Sequence, residues 1–321
     1  MARRRAHGAD GVVAASGTAL LPRAWPARVA PGRRRAARAA TPERLAGSVI
    51  IPAHDEARVI GRGLHRLLAS LGPGIEVVVV CNGCTDRTAD VARAVGDRVV
   101  VVEIGVASKA EALRAGDARA TAFPRAYLDA DVVVDGRSVE AVFRRLGGDG
   151  PLAARPPLVY DTSASSWVVR RFYRARTQVP AAMGSLWGAG MYALSAAGRA
   201  RFDAFPAVVA DDLFVDGLFR RDEIELVDAD PVVVVAPATV AGLLASFRRV
   251  FRGNRGVERH PATAGPRTAD TTRDLLRLAG RGPSGFVDAT VYAAVVVVAR
   301  ATSWRHRWAT DHWERDETSR R

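Results

Sequence analysis

Two carboxylates stand two residues apart where an apolar run ends, in Tyr127-Leu128-Asp129-Ala130-Asp131-Val132-Val133-Val134. In an extended strand residues i and i+2 share a face, so the spacing predicts that Asp129 and Asp131 aim at one object. Like charges that close repel unless a cation lies between them, and a hard divalent ion holding a phosphate is a common reason to accept the pair. A surface turn or a helix cap would use the same residues without chemistry. A second acidic pair, Asp211-Asp212, precedes a helical stretch with Leu213, Leu218 and Phe219, which it could equally cap. Lys109 is the only lysine, against 46 arginines. In a chain that takes its generic cations from arginine, one compact ammonium points to a specific need; the plain alternative is a solvated residue at a helix start. Cys81 and Cys84 form a Cys-x-x-Cys between a strand and a helix, the pattern of a thioredoxin-like redox site. They are the only cysteines, so no second pair completes a four-thiolate zinc site, and two reduced thiols are the default. His54, beside Asp55, reads as a loop residue rather than a ligand.

The elements that must carry these residues follow from the apolar pattern. Ser48-Val49-Ile50-Ile51 is a short buried strand ended by Pro52, and Ile60, Leu64, Leu67, Leu68 and Leu71 then repeat with helical spacing. A second strand, Ile75 to Val80, leads into Cys81-Asn82-Gly83-Cys84-Thr85-Asp86, and Thr88, Val91, Ala92 and Val95 mark its helix. Val99 to Glu103 is a third strand, Lys109 to Ala122 a third helix, and Ala126 to Leu128 the strand that delivers the two aspartates. Val139, Val142, Phe143 and Leu146 mark the helix after it. Near-continuous apolar strands alternating with helices predict a parallel sheet covered on both faces. Its strand C-termini would gather Asp55, Glu56, Asn82, Asp86, Asp129 and Asp131 along one edge, where such sheets bind ligands. Beyond Gly150 the pattern loosens. Leu152 to Tyr160 reads as a strand, Trp167 to Ala182 as a basic amphipathic helix, Gly188 to Leu194 as a glycine turn entering a strand, and Val232 to Val235 as a buried strand. Val240 to Asn254 and Asp270 to Leu278 read as helices.

The chain has 321 residues, 48% of them hydrophobic, enough for a sizeable core. Its formal charge of +13 lies at the ends: ten arginines against two acids in residues 1–45, and fifteen against eight in residues 246–321. The body between is close to neutral, which excludes nucleic-acid binding by a basic fold. Residues 1–45, rich in Arg, Ala and Pro, are expected to be a disordered arm or translation upstream of the true start, with a transit peptide as the alternative. The longest apolar run, Ala289 to Ala299, is about half of the roughly 20 residues a spanning helix needs, so no transmembrane helix is expected. Trp304, Trp308 and Trp313 stand among Arg305, Arg307 and Arg315. They would either rest on anionic lipid headgroups or pack on the folded body.

In order and spacing, Val49-Ile50-Ile51-Pro52-Ala53-His54-Asp55-Glu56, Asn82-Gly83-Cys84-Thr85-Asp86, Lys109-Ala110-Glu111-Ala112-Leu113 and Leu128-Asp129-Ala130-Asp131 resemble the family 2 glycosyltransferases. Asp211-Asp212 stands where that family has a Glu-Asp pair. The resemblance runs over roughly residues 46 to 260, tighter in its first half. It implies a single α/β domain of the GT-A fold, with a mostly parallel Rossmann-like sheet and helices on both faces. Residues 46–150 would be the nucleotide-sugar-binding half, 151–260 the acceptor and catalytic-base half, and 261–321 a basic helical extension. It further implies a hexosyltransferase-type enzyme that moves a sugar from a UDP- or GDP-sugar to an acceptor hydroxyl by inverting displacement, using Mn2+ or Mg2+. Pro52, Ala53, Glu56 and Asn82 would hold base and ribose, Asp129 the ribose or metal, and Asp131 the metal. Lys109 would lie near the donor diphosphate and Asp212 would be the general base.

Two departures bear on this reading. The family usually has Asp at the Asn82 position; an amide both donates and accepts, so base recognition survives while donor preference could shift. The Gln-x-x-Arg-Trp motif of processive synthases aligns with Ser246-Phe247-Arg248-Arg249-Val250, which keeps only Arg249, so a non-processive enzyme is expected. The acceptor would be a sugar, a lipid-linked molecule or a small molecule, in glycan, glycolipid or glycoside synthesis of the cell-envelope kind. The expected location is the cytoplasm or the inner face of the plasma membrane, bound peripherally. The rivals are a redox protein using Cys81 and Cys84, a non-catalytic nucleotide-sugar-binding protein on the same fold, and a sugar-phosphate nucleotidyltransferase. The last would open with a Gly-rich basic loop that Ala53 to Glu56 lacks.

Overall fold

Valine runs set the architecture. In the computed structural model, which describes residues 46–208, 210–248 and 268–305, β1 (Gly47–Ala53) and β2 (Ile75–Asn82) lie side by side in parallel, Val49 opposite Val77 and Ile51 opposite Val79. Both are apolar on both faces because both faces are covered. Val49, Ile51, Val77 and Val79 point to the side of α1 (Ile60–Leu68), α2 (Thr88–Ala94) and α4 (Gly136–Leu146). Ile50, Val78 and Val80 point to the side of α3 (Lys109–Arg119). With β3 (Val99–Ile104) and β4 (Arg125–Leu128) these strands make the parallel half of the sheet.

The second half is built differently. After β5 (Ala153–Arg155), β6 (Leu158–Asp161), α5 (Trp167–Arg176) and α6 (Pro180–Met183), β7 (Met191–Leu194) pairs antiparallel with β4. It is followed by α7 (Ala196–Arg199), α8 (Asp211–Gly217), β8 (Ile224–Leu226) and β9 (Val232–Val235). The seven-stranded sheet has the order β3-β2-β1-β4-β7-β5-β8, while β6 and β9 form a separate parallel pair. Helix α9 (240–248), α10 (Thr268–Ala279) and α11 (Pro283–Arg305) complete the described chain. The described residues all lie in one compact unit.

The structure corrects five expectations. The strand expected over Leu152 to Tyr160 is two strands in two sheets, because Pro156 and Pro157 offer no N–H to a ladder. The helix expected over Trp167 to Ala182 ends at Arg176, and a new turn starts at Pro180, whose fixed φ suits a first helical position. The third helix stops at Arg119 rather than Ala122. Val232 to Val235 is half-buried, with Val233 and Val235 each 44% exposed, since the two-stranded sheet is covered on one face only. The C-terminal apolar run belongs to a 23-residue helix, α11, whose stretch Pro283–Thr302 is long and apolar enough to cross a membrane by length and composition alone. Counting only the run Ala289 to Ala299 missed the turns on either side. The arm over residues 1–45, Arg249, the end of the Val240 to Asn254 helix, and Trp308 and Trp313 lie outside the described residues.

Helix α3 carries Lys109 at its start and must lie close on the sheet. Gly116 permits this, since a Cβ there would sit 2.3 Å from Cγ2 of Ile50 in β1. Gly116→Val is expected to overpack this contact at a cost of about 1–3 kcal/mol and lower the thermal unfolding midpoint by several degrees. An unchanged midpoint by calorimetry would mean that α3 is free to lift off the sheet.

Candidate active site

The C-terminal ends of β1 and β2 open into two loops that are stitched together by side chains. Asn82 donates from Nδ2 to the Ala53 carbonyl at 2.8 Å, and His54 Nδ1 lies 2.6 Å from the Asn82 carbonyl. A carbonyl only accepts, so Nδ1 carries the proton. Asp55, at φ +50 in the left-handed region that Asp tolerates better than most residues, accepts from the backbone N–H groups of Thr85 (2.6 Å) and Asp86 (3.2 Å). The Glu56 N–H donates to Thr88 Oγ1 at 2.7 Å and the Ala57 N–H to Asp86 Oδ2 at 3.2 Å. Pro52, Ala53, Glu56 and Asn82 thus come together at one sheet edge, all buried. His54, Asp55 and Cys84 bring a nitrogen, an oxygen and a sulfur within 4.8 Å of one another, yet His54 and Asp55 are engaged in holding the two loops together. Cys81 and Cys84 are free thiols. Burial and Cys84 push the Cys81 thiol up to about 12, opposite to the lowered pKa of a nucleophilic Cys-x-x-Cys.

A second group gathers where β4 ends. The strand stops at Leu128, so Asp129 and Asp131 do not share a strand face: the Asp129 N–H pairs with the Gly190 carbonyl (2.8 Å) and the chain turns, Val132 N–H donating to the Asp129 carbonyl (3.1 Å). Asp129 points inward and Asp131 is exposed. Their charges still meet, because Asp131 is one of the groups that raise the Asp129 pKa.

Lys109 is the hub of this group. Its Nζ lies 2.7 Å from Asp129 Oδ1 and 2.7 Å from Asp211 Oδ1, although the second contact is an ion pair without hydrogen-bond geometry. Lys109 is therefore placed between carboxylates rather than free at the mouth of the cleft. Burial alone would lower its pKa, but Asp129, Asp211 and Asp212 together hold it well above the usual value, so it is a fixed cation. Asp211 is buried and accepts from the Tyr192 hydroxyl at 2.9 Å; burial, with Asp211 next, raises that phenol well above its ordinary pKa. Asp212 accepts from the Gly188 N–H (2.7 Å) through one oxygen and from the Leu213 N–H (2.8 Å) through the other. Both acids lie in the first turn of α8, where the helix dipole favours them, but neither caps the helix, which starts from Ala210 without a side-chain cap. Burial first and Asp211 second push Asp212 up to about 6, with Lys109 opposing. Burial raises Asp129 as well, against Lys109.

Three carboxylates, Asp129, Asp211 and Asp212, therefore surround one ammonium, and the charge does not balance. With Asp131 at the rim, the donors are all hard oxygens, the set that suits Mg2+ or Mn2+ rather than a soft metal. Pro52, Tyr127, Gly190 and Tyr192 complete the cleft around them.

Several residues that position this group were not singled out from the sequence. Tyr192 and Gly188 act across 19 and 24 residues, a separation that leaves no local pattern. The pair Gly188 and Gly190 was a visible signal: both have positive φ, and a Cβ on Gly190 would sit 2.4 Å from Val132. Arg155, at the end of β5 and fully buried, donates to the Ser185, Pro156 and Met183 carbonyls and so fixes the loop that presents Gly188. Arg176 adds a bond to the Tyr160 hydroxyl (2.7 Å) and stacks over Trp187 at 4.7 Å.

Comparison with known proteins agrees with this architecture. The model of glycosyl transferase family 2 matches residues 48–200. Among solved structures, a mannosyltransferase from Pyrobaculum calidifontis in complex with GDP-Man and Mn2+ superposes with a TM-score of 0.57 at 18% identity, over 83% of this chain and 89% of that one. Glucosyl-3-phosphoglycerate synthase from Mycobacterium tuberculosis, in complex with Mn2+, UDP and glucosyl-3-phosphoglycerate, is more distant: TM-score 0.44, 21% identity, 58% of this chain and 71% of that one. No curated protein sequence matches the chain significantly. The sheet order, the helices on both its faces and the family match agree: residues 48–200 match glycosyl transferase family 2, and the fold is that of the GT-A glycosyltransferases.

Proposed function

We propose that this chain moves a sugar from a UDP- or GDP-sugar to an acceptor hydroxyl, by a single inverting displacement and without processive extension. The observation that carries the reading is the Asp212 carboxylate, held by the Gly188 N–H among Asp129, Asp211 and Lys109 with its pKa pushed up to about 6. A base poised just below neutrality is unprotonated at pH 7 and still basic enough to take a proton. In the displacement the acceptor oxygen bonds to the anomeric carbon as the bond from that carbon to the diphosphate oxygen breaks, and the hydroxyl proton passes to Asp212. Lys109 keeps Asp129 and Asp211 in place as charge shifts around them. Pro52, Ala53, Glu56 and Asn82 would hold base and ribose at the stitched loops.

A divalent cation belongs to the reading. The neighbouring mannosyltransferase was solved with Mn2+, and the surplus of carboxylates here suits one. Asp131 and Asp129 would hold the ion, which when bound neutralises charge building on the departing diphosphate. The acceptor would be a sugar, lipid-linked or small-molecule hydroxyl. A reducing, cytoplasmic setting fits Cys81 and Cys84, which touch yet remain thiols. A non-catalytic binding protein is the competing reading, and donor hydrolysis that EDTA abolishes separates the two.

Thermal shift with UDP, GDP and their sugars is expected to raise the unfolding temperature only when Mn2+ or Mg2+ is present, with Asp131→Asn blunting the gain. Silence across the whole panel would remove the donor site. Asp212→Asn should bind donor normally and lose about 10²–10⁴-fold in kcat. In the wild type, kcat/KM should rise about tenfold per pH unit up to about pH 6 and level off above it, as Asp212 gives up its proton. A flat profile between pH 5 and 7 in steady-state assays would take the base role away from Asp212.

A further inference from the structure

Helix α5 separates its two sides cleanly. Val169, Phe172 and Ala175 are fully buried in the cluster that α10 and α11 complete. Trp167, Arg170, Arg171, Arg174 and Thr177 recur three and four residues apart, so they share the other side. Together with Tyr173, and with Tyr160 and Thr162 from β6 and its exit, they line a cavity of about 470 Å³. That is the size of a site for a small organic ligand and more than a lone ion fills.

The charge of this cavity is not balanced. Its three guanidinium groups stand against one carboxylate, Asp288 of α11, with Arg171 Nη1 at 3.1 Å from Oδ1 and Arg174 Nε at 2.9 Å from Oδ2. Asp288 is buried and holds those two arginines in place. Arg170 donates through Nη1 to the Ser165 carbonyl and, among the described residues, has no acidic partner. Asp161, next to Tyr160 in the chain, accepts from the Ser163 N–H at 2.9 Å and does not line the cavity. Three cations less one anion leave two positive charges. Among the described residues, no hydrogen bond claims Nε or Nη2 of Arg170 and Arg171, or Nη1 of Arg174.

A phosphate monoester carries close to two negative charges at pH 7 and accepts through three oxygens, a match for guanidinium forks. A carboxylate or a sulfate ester would leave one charge over. The Tyr160 hydroxyl accepts from Arg176 Nε at 2.7 Å, which leaves its own proton to donate, and Thr162 and Thr177 add hydroxyls. The remaining walls are aromatic: Trp167, 51% exposed, and the Tyr160 and Tyr173 rings, 4.4 Å apart. Flat faces of this kind receive a ring.

We infer that this cavity binds a phosphate monoester carried on a ring, such as a sugar phosphate, with the phosphate on Arg170, Arg171 and Arg174 and the ring against Trp167. The cavity shares no residue with the cleft of Asp129, Asp211 and Asp212, and the inference does not depend on the sugar transfer proposed above.

The test is titration calorimetry of the full chain in EDTA, which withholds the cation that donor binding is expected to need. Glucose 6-phosphate is expected to bind, inorganic phosphate and glucose 6-sulfate about tenfold or more weaker, and glucose not at all. Arg170→Ala should weaken glucose 6-phosphate about tenfold or more. Trp167→Ala should weaken it several-fold and leave inorganic phosphate unchanged. Both side chains are exposed, and an unchanged unfolding temperature would show that the fold is intact. The inference is overturned if glucose 6-phosphate gives no heat of binding, if the sulfate binds equally, if Arg170→Ala binds as the wild type does, or if Trp167→Ala affects the sugar phosphate and inorganic phosphate alike. A wild type that ignores glucose 6-phosphate yet floats with vesicles containing phosphatidic acid would assign the cavity to a lipid headgroup and overturn it too.

Discussion

Everything at the cleft depends on more negative charge being enclosed than the chain itself neutralises. One ammonium, Lys109, holds two carboxylates at 2.7 Å, a third stands beside them, and a fourth waits at the rim. Desolvation makes that arrangement costly for each acid, and Asp129 and Asp212 respond by holding their protons more tightly. The fold keeps them together because each is anchored from a different element: Lys109 from the start of α3, Asp129 from the end of β4, Asp211 and Asp212 from the first turn of α8. The sheet fixes the first two, and the buried aromatic cluster of Tyr127, Tyr192, Phe205 and Phe214 fixes the third against them.

The antiparallel strand β7 is what joins the two halves of this arrangement. It lies directly on β4, so the loop carrying Gly188 and Gly190 ends beside the turn that carries Asp129. Through Gly190 it supports the Asp129 backbone, and through the Gly188 N–H it holds Asp212. Arg155 and Arg176 fasten the same loop from behind with carbonyl and ring contacts. Asp216 adds a further anchor to this loop by accepting from the Leu186 N–H at 2.7 Å.

The first half of the fold was legible because its strands are buried on both faces and its helices repeat cleanly, so that apolar runs and helical spacing coincide with element boundaries. Legibility fell after Gly150 for identifiable reasons. Pro156 and Pro157 cut one apolar run into two strands, and β9 alternates although it is all valine, because only one of its faces is covered. At the cleft, Asp129, Asp131, Asp212 and Lys109 could be picked out by residue type. Their geometry was not: the aspartates lie on a turn, and Lys109 faces acids. Tyr192 carried no local mark at all, since its partner comes from a helix that begins some twenty residues later.

The scarcity of lysine has a last consequence. Guanidinium groups keep their charge throughout the working range of pH and resist acylating reagents, and the one ε-amine in the chain is enclosed and firmly protonated. Acetylation, amine-directed cross-linking and conjugation at lysine thus find no ready target in the folded body. Its cationic surface is chemically inert as well as permanently charged.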